Sequence, residues 1–317
     1  MKLRINNKLI LLISLIFSIL VGSKFYGFGI DYYSAYRFSN VDYGSWYDRG
    51  GWIVSTFTIF DKNIGVYLVS FLLSLSFGIF FKKFQNFRGT NSIIFFILVY
   101  IMSLHTWPII MSTSNAMRQG ITMSLAFISL SFLLEKKIFK SFLFMFVSIF
   151  MHKSGIILLI IYINVLFLKF ISDYLKENKY ISNLYIIYGV IILFFIYYLI
   201  LFSDRVEVSF SKIIEKDYRF HFVLISLVYV LIFSYKFKFL KNNSFCLFLY
   251  LFSFGILSIL LLGLNWEYER FMMMMTLPYI FMFSMLFTKT SSYLFLFISI
   301  SSLLLLTIYN GMYAALI

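Results

Sequence analysis

Long apolar runs separated by short polar breaks organise the whole chain. A helix crossing hydrocarbon needs roughly 20 mostly apolar residues. Eleven segments fit that pattern: 8–24, 63–81, 92–111, 117–134, 138–152, 154–171, 183–202, 221–235, 244–264, 270–288 and 291–309. They predict an all-α fold, a polytopic integral membrane protein of about eleven transmembrane helices. The reading is one transmembrane domain over residues 1–317. The fifth and eighth segments are short. Residues 138–171 drawn as a single helix would be roughly 50 Å long, so two spans meeting at His152-Lys153-Ser154 are expected. The first segment resembles a signal peptide, but no small-x-small cleavage pattern follows it, and it reads as a retained span.

Composition agrees with a lipid solvent. The chain is 62% hydrophobic and 13% charged, with 42 Phe and 24 Tyr, and its mean hydropathy is +0.92. Soluble domains are about a quarter charged. The single cysteine, Cys246, lies within an apolar run, so neither an internal disulfide nor a cysteine metal cluster is expected. The formal charge of +14 raises nucleic acid as a partner, but the bases are scattered between apolar runs and form no continuous patch.

Sorting the charges by loop changes their meaning. With the N-terminus in the cytoplasm, the inner side holds 16 basic against 3 acidic residues, a net +13. The outer side holds 11 against 10, a net +1. This satisfies the positive-inside rule and predicts a multi-pass membrane protein with its N-terminus in the cytoplasm. Of the inner bases, 14 are lysine, whereas 6 of the outer bases are arginine. All four tryptophans also fall outside. Lysines suffice as point charges that hold topology. Arginines suit forked contact with phosphate or carboxylate, which places the working loops on the outer face.

Four outer constellations carry candidate chemistry. The large first outer loop, residues 25–62, includes Gly29-Ile30-Asp31-Tyr32-Tyr33 with Tyr36, then Trp46, Asp48 and Gly50-Gly51-Trp52. Its rings offer stacking faces for sugars, and Asp31 is a candidate base; the same residues suit an interfacial aromatic belt. Next come Asn115, Arg118, Gln119 and Thr122, spaced to share one helix face. Arg118 falls at the positive end of an inward-running helix with no acid between Asp61 and Glu135, and an anionic ligand would resolve that conflict. The alternative is an arginine reaching lipid headgroups or an acid from another loop. His152 with Ser154 offers a proton carrier or a phosphate contact, or simply a boundary residue. The fourth, Asn265-Trp266-Glu267-Tyr268-Glu269-Arg270, opens another inward span with Arg270, which Glu267 can neutralise locally. Met272–Met275 reads as soft packing. The second outer loop, 203–220, has the mixed charges of a solvated segment. No Gly-rich phosphate loop, Rossmann fingerprint or Gly-x-Ser-x-Gly elbow is visible, and no cofactor is expected.

Together these motifs resemble the EpsG family of exopolysaccharide proteins and the related Wzy-type O-antigen polymerases. The matching residues are Gly29-Ile30-Asp31-Tyr32 with Tyr36, Asp48 with Gly50-Gly51, Asn115 with Arg118-Gln119, His152 with Ser154, and Arg270 before Pro278. The most specific element is the combination of Arg118-Gln119 with His152-x-Ser154 at that spacing. Asp48-Arg49-Gly50 departs from the Glu-Pro-Gly-like run more typical there. The resemblance implies polymerisation of polysaccharide repeat units, with transfer of the glycan from undecaprenyl pyrophosphate to the next lipid-linked unit. It implies undecaprenyl-pyrophosphate-linked oligosaccharide, membrane lipid and a chain-length regulator as partners. A metal- and nucleotide-independent glycosyltransferase is expected, with Arg118 and Arg270 on pyrophosphate and Asn115 and Gln119 orienting it. Asp31 or His152 would be the base, and Tyr32, Tyr36, Ser154, Trp266 and Glu267 would contact substrate. Rival classes are a lipid-linked oligosaccharide flippase, a membrane O-acyltransferase, a single-sugar transferase and a structural subunit of an export complex. A flippase predicts charges deep within several spans, whereas these charges sit at span ends.

Overall fold

The computed structural model describes residues 6–24, 64–89, 92–114, 116–152, 154–175, 181–201, 220–236, 243–261 and 265–309. Among them there are twelve helices and no strand. In chain order these are α1 (Asn7–Lys24), α2 (Ile64–Arg88), α3 (Ile93–Leu104), α4 (Trp107–Ser114), α5 (Met117–Leu134) and α6 (Ile138–Ser148). Then follow α7 (Ser154–Leu175), α8 (Ile181–Leu201), α9 (Phe220–Tyr235), α10 (Ser244–Leu261), α11 (Asn265–Ser284) and α12 (Lys289–Tyr309). Every apolar segment of the sequence carries a helix. By length and composition, four of the described helices suffice to cross a membrane, or five if the bent pair α3–α4 is one span.

That bend corrects the reading of 92–111 as one straight helix, because α3 and α4 meet at 57°. Pro108 lacks the N–H that would continue the ladder and restricts Trp107 before it. The chain closes α3 instead with bonds from the His105 and Thr106 amides to the carbonyls of Met102 and Ser103. The Thr106 carbonyl then starts α4 by accepting from Ile109 and Ile110. The Trp107 amide donates to the Thr307 hydroxyl of α12 at 2.7 Å, anchoring the break.

The helices group into two compact units, Met1–Ile156 with Leu277–Ile317, and Ile157–Thr276. In the first unit α1 runs antiparallel to α2: Ser18 donates to the Tyr67 carbonyl near one end and Lys82 to Asn7 near the other. The Tyr100 hydroxyl of α3 donates to the Ser74 carbonyl of α2 at 2.8 Å and meets Ser14 of α1 at 2.9 Å. Phe77, Phe80, Phe81 and Phe84 recur at helical spacing on α2 and pack with Phe96, Phe127 and Phe281 in a fully buried aromatic core. Between helices in lipid such close packing supplies much of the cohesion, and each well-placed ring pair is worth about 0.5–1.5 kcal/mol. The α5 span is 78% buried and that of α12 only 22%, so α5 is central and α12 peripheral.

Helices α5 and α6 form an antiparallel hairpin. Ser129 and Ser141 exchange reciprocal side-chain to carbonyl bonds of 2.8 and 2.9 Å, which lets the two backbones approach closely. The turn ends α5 with Lys136 at φ 59°, in the left-handed region. The Lys137 and Lys136 amides return to the carbonyls of Phe132 and Leu133, a Schellman closure. Glu135 beside it pairs with Lys137 at 2.9 Å and with Lys83 of α2 at 3.2 Å. Arg88 reaches the carbonyls of Ser284, Met285 and Phe287, capping the end of α11. Bases that the charge rule assigns to one side of the membrane thus gather at one end of this unit.

In the second unit every residue of α10 from Ser244 to Ile256 is buried. The Tyr229 hydroxyl of α9 donates to the Cys246 carbonyl, and Phe233 stacks on Tyr250 at 4.0 Å. Helix α8 packs on α10 through Gly189 beneath Phe254. Its other side leaves Ile187, Ile191, Phe194 and Phe195 exposed, as a lipid-facing helix does. The Met272–Met275 run is buried, and Ser226 lies against the Met272 sulfur at 3.8 Å.

Candidate functional site

The open end of the α5–α6 hairpin holds two of the motifs singled out by the sequence. Arg118 and Gln119 are the second and third residues of α5. The cap position is Ala116, which makes no side-chain capping bond, and the first turn contains no acid. Positive helix-dipole charge and a guanidinium therefore share one place. Gln119 is buried, Arg118 half-buried, and the Thr122 hydroxyl one turn on donates to the Arg118 carbonyl at 3.3 Å. Asn115 lies outside the described residues.

What holds this helix start is Gly120. A β-carbon there would collide with the Ser112 carbonyl of α4 and stand 2.8 Å from Val69 of α2. Only a glycine allows the backbones of α4 and α5 to come so near. Ser112 turns its own hydroxyl back to the Pro108 carbonyl at 2.7 Å.

The second motif repeats the device. Helix α6 ends at Ser148, and α7 begins at Ser154 after a short turn. A β-carbon on Gly155 would collide with the Ser148 carbonyl, and the Gly155 amide donates to the His152 carbonyl at 2.8 Å. His152 is buried in this turn, with its Nδ1 2.8 Å from the Ser154 hydroxyl and 3.2 Å from the Ser154 amide nitrogen. The expected break at His152-Lys153-Ser154 is therefore present.

The hairpin explains why the motifs meet. Ser129 faces Ser141. Arg118 precedes Ser129 by the same stretch of chain by which His152 follows Ser141. In an antiparallel pair both directions lead to the same end, away from the Glu135–Lys137 turn. Arg118, Gln119, His152 and Ser154 are thus collected there, although the two motifs are well separated in sequence. The two tight glycine contacts were not read from the sequence. Their trace was the glycine directly after each motif, in Arg118-Gln119-Gly120 and Ser154-Gly155.

The remaining candidates belong to other parts of the chain. Arg270 belongs to the second unit. It does not open its helix as expected, because α11 begins at Asn265 and Arg270 is its sixth residue. Trp266 and Glu267 occupy the first turn of α11. Asp31, Tyr32 and Tyr36 lie outside the described residues. Among the described residues no group of three or more His, Cys, Asp or Glu side chains is placed to hold a metal ion.

In comparisons with known proteins, the family model described as EpsG family matches residues 7–316, nearly the whole chain. No curated protein and no solved structure matches.

Proposed function

The chain belongs to the EpsG family, and from that membership, with its association with Wzy-type polymerases, we propose that this protein is a polysaccharide polymerase of the bacterial cytoplasmic membrane. It joins repeat units carried on a polyprenyl pyrophosphate at the outer face. The lysine-bearing end of the first unit faces the cytoplasm, and the open end of the α5–α6 hairpin faces outward. The observation that carries the reading is that hairpin: it brings Arg118 and Gln119 together with His152 and Ser154 at the end opposite the paired lysines.

In the reaction, the sugar C1–O bond to the phosphate breaks, and its electron pair passes to the phosphate oxygen. The acceptor hydroxyl oxygen forms the new bond to C1 and gives up its proton to a base, Asp31 or His152. Arg118 at the start of α5 stabilises the charge that develops on the pyrophosphate, with Arg270 as a second cation and Asn115 and Gln119 as orienting groups. Tyr32, Tyr36 and Trp266 offer stacking faces to the sugars, and Glu267 accepts a hydroxyl. The energy resides in the donor's phosphoester bond, so the reaction requires no nucleotide.

The test is the surface glycan made by cells carrying Arg118→Ala at matched protein level. The expected gel shows single repeat units in place of the long ladder. A ladder of wild-type length and amount rejects the assignment.

A further inference from the structure

One face of α6 packs on its neighbour, and the opposite face is apolar and exposed. Ser141, Met145 and Ser148 are buried, with Ser141 bonded to Ser129 of α5. On the other side Phe139, Leu143 and Phe146 are 79%, 50% and 41% exposed. Their spacing of four and three residues sets them in one stripe along the helix. Lys140 follows Phe139 directly and stands one turn before Leu143, so it belongs to the start of that stripe. Helical side chains lean toward the N-terminus, and a lysine stem lies along apolar surface while its ammonium reaches for water or a headgroup. Lys136 and Lys137 occupy the turn just before, and all three lysines are exposed. Their charge is not balanced by protein. Glu135 is shared between Lys137 at 2.9 Å and Lys83 at 3.2 Å, and among the described residues Lys136 and Lys140 form no ion pair.

We propose that the start of α6 binds one anionic phospholipid, its phosphate held by Lys136 and Lys140 and an acyl chain lying along Phe139, Leu143 and Phe146. Two features together select this occupant. The unbalanced lysines call for a negative group, and basic clusters beside a membrane helix recognise anionic headgroups. The apolar stripe that runs on from them calls for hydrocarbon attached to that group. A free anion or an acidic peptide would satisfy the lysines and leave the stripe uncovered. A zwitterionic lipid would cover the stripe but carry a cation of its own to the lysines. The site is remote from Arg118 and His152, which lie at the other end of the hairpin, and binding here does not depend on which reaction the protein performs.

Native mass spectrometry of the full-length protein in detergent counts bound lipids directly. Phosphatidylglycerol and phosphatidylcholine with the same acyl chains differ only in headgroup, and solubilised protein exposes both of its ends to them. Each lysine near a negative surface contributes about fivefold in affinity. The wild type is therefore expected to bind one phosphatidylglycerol roughly 25-fold more tightly than phosphatidylcholine, and the preference should weaken with added salt. Lys136→Gln combined with Lys140→Gln is expected to abolish it, with an unchanged unfolding temperature in the absence of lipid. Lys236→Gln, which removes an exposed lysine of the second unit, is expected to keep it. Equal binding of the two lipids by the wild type overturns the proposal. So does a preference that survives the double substitution, or one that Lys236→Gln reduces as much, since either result would mean diffuse attraction and not this site. Glycerophosphoglycerol, the headgroup without its chains, and polyglutamate test the other occupants. Neither is expected to displace phosphatidylglycerol at matched concentration. Displacement by the first would make this a site for a soluble anion, and displacement by the second a surface for an acidic protein.

Discussion

The two ends of the α5–α6 hairpin are built on opposite plans. At the turn, charge is paired: Glu135 lies between Lys83 and Lys137, and Arg88 caps the carbonyls that end α11. At the open end, Arg118 stands at a helix start without an acid in its turn, and His152 is buried against Ser154. Beyond its own backbone closure, the turn is tied to α2 by long side chains at the surface. The open end is held by backbone against backbone, through Gly120 and Gly155. Surface ion pairs tolerate movement and substitution. Close backbone contact does not, and a site that must hold donors in fixed directions gains from that rigidity. Under the proposed function, one end serves structure and the other chemistry.

The sharpest way to break this contrast is to remove one cation from each end. Arg118→Ala is expected to lower ladder synthesis on the order of 100- to 1000-fold, as for loss of one preorganised donor to developing charge. Lys83→Ala at matched protein level is expected to leave the ladder unchanged. Equal losses would show that the two ends do not divide the work.

Next in size is the backbone contact. Gly120→Ala drives a methyl group into the Ser112 carbonyl, and the obstacle is backbone, not the tip of a flexible side chain. A loss of about 1–3 kcal/mol is expected, the usual range for overpacking, read as a lower unfolding temperature in detergent. Because the strain falls at the start of α5, ladder synthesis should drop further than the lost folded protein explains. A fully stable Gly120→Ala protein would mean that α4 and α5 do not meet as described.

At the turn, the parallel change has the opposite sign. Lys136 holds a left-handed conformation that costs an L-residue roughly 1–2 kcal/mol, with φ 59°. Lys136→Gly removes that cost and adds chain entropy to the unfolded state, so a net gain of about 0.5–1 kcal/mol is expected. Activity should not change. A loss of stability would mean that the lysine side chain holds the turn by contacts that outweigh its backbone strain.

Hydropathy reveals the helices of this chain but not the contacts between them. Each of the eleven apolar runs holds a helix, and the break at His152 followed from the length of the run it divides. The bend at His105–Thr106 was missed because hydropathy continues across it; Pro108 was the local signal. Arg270 was placed at a helix start because the apolar run begins there. The helix itself begins at Asn265, and hydropathy cannot mark a polar first turn. Arg118 and His152 were legible as unusual residues, but their shared end required the hairpin pairing of Ser129 with Ser141. The roles of Gly120 and Gly155 depend on which carbonyl stands opposite, information that no local pattern carries.

The smallest effect tests the turn by pH. Partial burial of Glu135 favours its neutral form, but hydrogen bonds from Lys137 and Lys83 outweigh this and hold its carboxyl below the usual range. A carboxylate with a lowered folded-state pKa adds stability above its unfolded pKa and loses it as pH falls through the folded value. The advantage of the wild type over Glu135→Gln should therefore be constant near neutral pH, shrink once pH falls below the ordinary glutamate range, and vanish in stronger acid. The pair is partly exposed, so the full advantage is expected to be under about 1 kcal/mol and to weaken further with added salt. Unfolding temperatures of the two proteins measured across pH give the difference directly. An advantage that grows on acidification would place the bonded form of Glu135 as the neutral acid, and the turn would then be held by a neutral hydrogen bond and not by paired charge.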